Sequence, residues 1–131
     1  MEGSLKELAE YRMERAKEML DAAKGNLEIG QFKTSLNRSY YAIFHAMRAA
    51  NILKGFDSSK HSGVIAFFNK EYLKEEILER KLSVIIKNSA FLREKSDYDD
   101  FFIASKKDAE KQLEDAAIFL EKVETYIKQQ K

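Results

Sequence analysis

The chain has 131 residues, 23 basic and 22 acidic for a net charge of +1, and no cysteine, proline or tryptophan. Lack of cysteine excludes disulfides and thiolate metal sites and points to a reducing cytoplasm. Balanced charge excludes a broad cationic face that coats nucleic acid, so a polyanion would have to be met at a small local cluster. No apolar run approaches the roughly eighteen residues of a membrane span. The charged N-terminus, Met1-Glu2-Gly3-Ser4-Leu5-Lys6-Glu7, lacks a secretory leader's apolar core. The length predicts a single domain over 1–131 with one core and no staples. The Lys/Glu-rich composition is compatible with a thermophilic source.

With proline absent, only placed glycines and polar clusters can interrupt helices. The first predicted helix runs from about Ser4 to Glu28. Met13, Ala16, Leu20, Ala23 and Leu27 step three and four apart, and Ser4 with Glu7 makes a capping box. Gly30 punctuates, and a central helix follows from about Phe32 to Leu53, with Gly55 as its C-cap. Phe56 to His61 reads as a polar loop in which Ser58 or Ser59 can cap the next helix. Val64, Phe67, Phe68 and Tyr72 predict a short helix. Leu78, Leu82, Ile85 and Leu92 predict a longer one to about Arg93, and the pattern leaves open whether these two are one bent helix. Ser96-Asp97-Tyr98-Asp99-Asp100 reads as an acidic turn before the apolar trio Phe101-Phe102-Ile103. Ser105 with Asp108 caps the last helix, where Ala109, Leu113, Ala116, Leu120, Val123 and Ile127 hold heptad spacing. The expected fold is all-α: an up-down antiparallel bundle of four long helices plus one short helix.

The central helix carries the candidate chemistry. At 100° per residue, Leu36, Tyr40, Ile43 and Met47 form an apolar seam. Thr34, Arg38, Tyr41, His45 and Arg48 form a polar line about 200° away. Arg38 and His45 lie about 20° apart in azimuth and roughly 10 Å apart along the axis. A guanidinium can hold non-bridging phosphate oxygens, and an imidazole near neutrality can move the proton of a ribose 2′-hydroxyl. Spacing alone is weak support, because six arginines and two histidines produce it by chance in roughly one chain in four. The alternative is a solvated arginine pair and a packed histidine. Ala42, Ala46 and Ala49 form a third stripe, suited to close helix packing within the chain or to a dimer seam.

His61-Ser62-Gly63 stands where a helix begins, a position that gathers anions; the alternative is a cap beside an exposed histidine. Arg93, Asp97 and Tyr98 could orient Arg38 or His45, or could simply tie down the loop. No Glu-x-x-His or His-x-x-x-His pair is present, so no metal is expected, and no glycine-rich phosphate loop occurs.

The run Ser35-Leu36-Asn37-Arg38-Ser39-Tyr40-Tyr41-Ala42-Ile43-Phe44-His45-Ala46 resembles the signature helix of HEPN-domain proteins (higher eukaryotes and prokaryotes nucleotide-binding). Lys60-His61-Ser62-Gly63-Val64 and Leu92-Arg93-Glu94-Lys95-Ser96-Asp97-Tyr98 resemble the small stand-alone prokaryotic members. The resemblance implies a homodimer in which the Arg-x(4–6)-His motif of each subunit meets at a shared cleft. It also implies metal-independent cleavage of single-stranded RNA without a cofactor, and a toxin neutralised by a minimal nucleotidyltransferase antitoxin. Carried over by position, Arg38 would hold the scissile phosphate and His45 would act as general acid or base. Asn37, Tyr41, Arg48, His61, Ser62 and Tyr98 are the candidate accessory or substrate-binding residues.

Two positions depart from the family pattern. Met47 stands where one subgroup has a tyrosine that accepts a nucleotidyl group. Ser39, preceded by Asn37, stands where many active members place Asn or Asp. The alternative is therefore a non-catalytic module that binds a nucleotidyltransferase or a nucleotide, and a purely structural helical dimer is a third reading.

Overall fold

The computed structural model describes residues 2–130, with side chains from residue 5 onward. Its elements are α1 (Glu2–Glu28), α2 (Phe32–Ile52), α3 (His61–Phe68), a π-helical turn (Asn69–Lys74), α4 (Leu82–Tyr98) and α5 (Lys106–Gln129). This is the expected all-α bundle of four long helices and a short one, and no strand occurs among the described residues.

Two glycines bracket α2. Gly30 and Gly55 have φ of +79° and +78°, left-handed values that favour glycine. At each, two backbone N–H groups turn back to satisfy the last carbonyls of the preceding helix. Gly30 N–H donates to Leu27 and Gln31 N–H to Asn26; Gly55 N–H donates to Ile52 and Phe56 N–H to Asn51. Both are Schellman closures.

Ser35 Oγ donates to the Ala23 carbonyl (2.8 Å) and Arg38 reaches Met19, so α1 and α2 run antiparallel in a fixed register. Ala42 and Ala49 then come level with Ala16 and Ala9, and all four are fully buried. The alanine stripe therefore serves close packing inside one chain. Lys6 donates to the Gln130 carbonyl and Lys17 pairs with Glu124, placing α5 antiparallel to α1 as well.

The seam residues Leu36, Tyr40, Ile43 and Met47 are all buried. Burial extends beyond them, however, because α2 contacts α1, α3, α4 and α5. Phe119 of α5, with its ring centroid 5.5 Å from that of Phe68, closes the core from the far side. Burying such a side chain contributes about 1.5–3 kcal/mol.

Several boundaries differ from expectation. The helix α1 is already under way at Glu2, so Ser4 stands inside it, and the side chain of the expected capping box lies outside the described residues. Neither Ser58 nor Ser59 caps α3: Lys60 holds the N-cap position, and Ser58 Oγ instead accepts from the Lys60 N–H (3.1 Å), tightening the loop. The segment 61–98 is two helices rather than one bent one. The π-helical turn ends the first locally, and Glu76 at φ +57° reverses the chain before α4.

The helix α4 runs on to Tyr98, past the expected end near Arg93, so Ser96, Asp97 and Tyr98 are helical. Acidic residues at a C-terminus oppose the helix dipole. Here the pairs Arg93–Asp97 (3.1 Å) and Lys95–Asp99 (3.7 Å) offset that penalty. The cap of α5 is as expected in its first half, with Ser105 Oγ accepting from the Asp108 N–H (3.0 Å).

Candidate functional site

Of the polar line on α2, Thr34, Arg38, Tyr41, His45 and Arg48 all remain partly exposed, whereas the rest of the helix between Ser35 and Ile52 is buried apart from Asn37. The line is therefore the one side of α2 that a single chain leaves open. Two flanks border it.

One flank is cationic. Arg12 and Arg15 of α1 face Arg48 of α2 across the groove where His45 lies. Asp57, from the loop after α2, spans the two helices: Oδ1 accepts from Arg48 Nη2 (2.8 Å) and Oδ2 from Arg12 Nη2 (3.1 Å). The two guanidinium groups hold the Asp57 carboxyl below its usual range, Arg48 most strongly. His45 is half-buried and makes no hydrogen bond among the described residues. Burial first, and then the charges of Arg15, Arg48 and Arg12, push its pKa below the ordinary value, leaving a neutral imidazole at pH 7.

The other flank is aromatic. Tyr40, Tyr41, Phe44 and His61 pack ring on ring, with Phe44 and His61 centroids 4.4 Å apart. The Tyr40 hydroxyl and the His61 Nδ1 are 2.9 Å apart. Burial pushes the Tyr40 phenol up to about 12 and the His61 pKa down, so both groups favour their neutral forms. A neutral phenol and a neutral imidazole thus share one hydrogen bond, between the hydroxyl and Nδ1. Arg93 of α4 lies over the Tyr40 and Tyr41 rings (5.3 and 5.7 Å) and donates to the Tyr41 hydroxyl (3.2 Å).

The structure thus brings together Arg38, Tyr41, His45, Arg48 and His61, and adds three arginines, Arg12, Arg15 and Arg93, and Asp57. His61 is neither exposed nor a mere neighbour of a cap, because Tyr40 and Phe44 fix its ring. Asn37 is partly exposed on the same helix without a hydrogen bond among the described residues, and Ser62 is exposed on α3. Tyr98 makes no hydrogen bond to this assembly among the described residues. It is 73% exposed and lines a shallow groove with Phe91, Glu94, Lys95 and Asp99. Arg93 and Asp97 pair with each other, and Arg93 touches Tyr41 rather than Arg38 or His45.

Arg12, Arg15 and Asp57 were beyond a reading of single helices. Their signal was an arginine pair beside the Met13–Ala16 apolar stripe, which becomes informative only once the α1–α2 register is known. Among the described residues no three His, Asp, Glu or Cys side chains converge in a way that could hold a metal, and no helix is long and apolar enough to cross a membrane.

The HEPN-domain family profile matches residues 9–126. A "UPF0332 protein" of Thermotoga maritima is 32% identical over 92% of this chain and 91% of its own length. A Methanocaldococcus jannaschii protein named "Putative toxin MJ0142" is 31% identical over 97% of this chain and 86% of its own. The crystal structure of TT1696 from Thermus thermophilus superposes with a TM-score of 0.76, covering 90% of this chain and 97% of that one at 20% identity, a likeness of fold. On the extent of the profile match and of these relatives, the chain belongs to the HEPN-domain family.

Proposed function

We propose that this protein is a metal-independent endoribonuclease, the toxin half of a toxin–antitoxin pair, active as a homodimer whose two central helices line one cleft. The observation that carries this reading is the open polar line on α2 beside a neutral, unbonded His45. A second copy laid against that face would bring two Arg38–His45 pairs together. Relatives named as toxins favour the toxin role, with a minimal nucleotidyltransferase as the antitoxin and the cytoplasm as the setting.

In the reaction, Arg38 holds the non-bridging oxygens of the scissile phosphate. His45 takes the proton from the 2′-hydroxyl, and the 2′-oxygen forms a bond to phosphorus as the 5′-oxygen leaves. The departing oxygen takes a proton from the His45 imidazolium that the first transfer has just formed, relayed by water. The products are a 2′,3′-cyclic phosphate and a 5′-hydroxyl. The pure dimer is expected to cut single-stranded RNA in EDTA, with Arg38→Ala and His45→Ala losing about 100-fold or more in rate. Intact RNA with protein in excess, or variants that cut as fast as wild type, would end the proposal.

Met47 and Ser39, which depart from the family pattern, favour a second reading: a module that holds the nucleotidyltransferase or a nucleotide without chemistry. It predicts a stable complex on co-purification, or saturable nucleotide binding, with RNA left untouched.

A further inference from the structure

Asp57 sits between two guanidinium groups in the way a phosphate would. Each carboxylate oxygen is held by a different arginine, Arg48 at 2.8 Å and Arg12 at 3.1 Å. Two non-bridging phosphate oxygens are spaced much like the two oxygens of a carboxylate, so the same pair of forks fits either. The same two side chains hold further donor capacity. Arg12 Nη1 and Arg48 Nε are buried donors without a hydrogen-bond partner, and leaving such groups unpaired is costly. Arg15 adds a third positive charge, paired among the described residues with Glu18 at 3.6 Å in an exposed contact.

The arginines and the carboxylate differ in how firmly they are held. The Arg12 side chain is 13% exposed and Arg48 24%, whereas Asp57 is 49% exposed. The carboxylate hangs on the loop between Ile52 and His61; the cations are mounted on two packed helices. The rigid partner is the receptor and the loop carboxylate the displaceable occupant.

We infer that Arg12, Arg15 and Arg48 form a phosphoryl-binding subsite beside His45, which Asp57 fills until a phosphate of the RNA chain displaces it. This rests on the nuclease reading for the source of the phosphate, and it adds α1 and the loop after α2 to the RNA-contacting surface. Arg38 and Arg48 stand at opposite edges of the open stripe, about 80° apart in azimuth and about 15 Å apart along α2. A strand tracking the helix would therefore meet Arg38 at the scissile phosphate and the Arg48 subsite a few nucleotides away. An incoming phosphate also offsets the positive charge that disfavours the imidazolium of His45.

The test uses the full-length protein and an uncleavable 2′-O-methyl RNA dodecamer, with binding read by fluorescence anisotropy across a salt series. Asp57→Asn is expected to tighten binding about three- to tenfold by vacating the subsite. Arg12→Ala is expected to weaken it about tenfold and to lower the log–log salt slope by about one. Should Arg12→Ala fail to fold, Arg12→Gln with Asp57→Asn asks the same question, since the exposed loop carboxylate is dispensable for packing.

ADP and inorganic phosphate serve as the second arm. If they compete at micromolar concentration with the same dependence on Arg12 and Asp57, the subsite takes a free nucleotide's phosphate rather than RNA, and the RNA assignment falls. Unchanged or weaker RNA binding in Asp57→Asn, or wild-type binding without Arg12, overturns the subsite itself. Cleavage of ordinary RNA is scored separately. Failure to cut with the binding pattern intact removes the nuclease reading alone; normal cutting with unresponsive binding removes the subsite alone.

Discussion

His45 and His61 border the same face of α2, yet their surroundings divide the labour. His61 is a finished structural unit: its Nδ1 shares a hydrogen bond with the Tyr40 hydroxyl and its ring lies on Phe44. His45 is surrounded by arginine charge, and its ring nitrogens bond to nothing among the described residues. Burial lowers both pKa values, so titration alone does not separate them; hydrogen bonding does. A histidine whose nitrogens are committed inside the chain stabilises the fold. One left open in a cationic groove is available to a substrate.

Replacing each ring gives the largest contrast. His45→Ala should abolish RNA cleavage, by about 100-fold or more, while leaving the urea midpoint nearly unchanged. His61→Ala should do the reverse, costing about 1–3 kcal/mol of stability through the orphaned phenol and lost stacking. Parallel cleavage assays and urea titrations decide it, and equal destabilisation by both would erase the distinction.

A smaller effect sharpens the aromatic flank. Tyr40→Phe keeps the ring but removes the hydroxyl that bonds His61, and should cost about 1 kcal/mol with cleavage retained. Urea unfolding measures the first and gel electrophoresis the second.

The smallest effect is on pH dependence. Both imidazoles have folded pKa values below the ordinary 6.5, so between the folded and unfolded pKa the unfolded chain binds more protons. Stability should therefore be full above about pH 6.5, decline as pH falls through that value, and level off below the folded pKa. Melting temperature against pH in wild type and His45→Gln separates the two contributions, and a His45→Gln curve identical to wild type would assign the whole slope to His61.

The polar line was legible because it needed only one helix and a 100° turn per residue. Thr34, Arg38, Tyr41, His45 and Arg48 keep the relation their spacing implied. The bundle was legible too, since long amphipathic repeats with short connections leave few alternatives. What escaped was set by contacts between elements. Asp57 looked like one loop residue among several until the α1–α2 register brought Arg12 opposite Arg48. Ser96-Asp97-Tyr98 carried turn-prone residue types, but the ion pairs Arg93–Asp97 and Lys95–Asp99 outweighed that local preference. His61 read as a loop-end histidine because the stacking partner that fixes it, Phe44, is seventeen positions back in the chain.

The left-handed glycines at 30 and 55 clamp α2 at both ends, so an inserted or deleted residue between them has nowhere to be absorbed. One extra residue between Arg38 and His45 would turn the arginine by about 100° around the axis relative to the histidine, off their shared line. Among relatives that keep the six residues between Arg38 and His45, length variation should therefore collect in the stretches outside that clamp, such as 75–81 and 99–105.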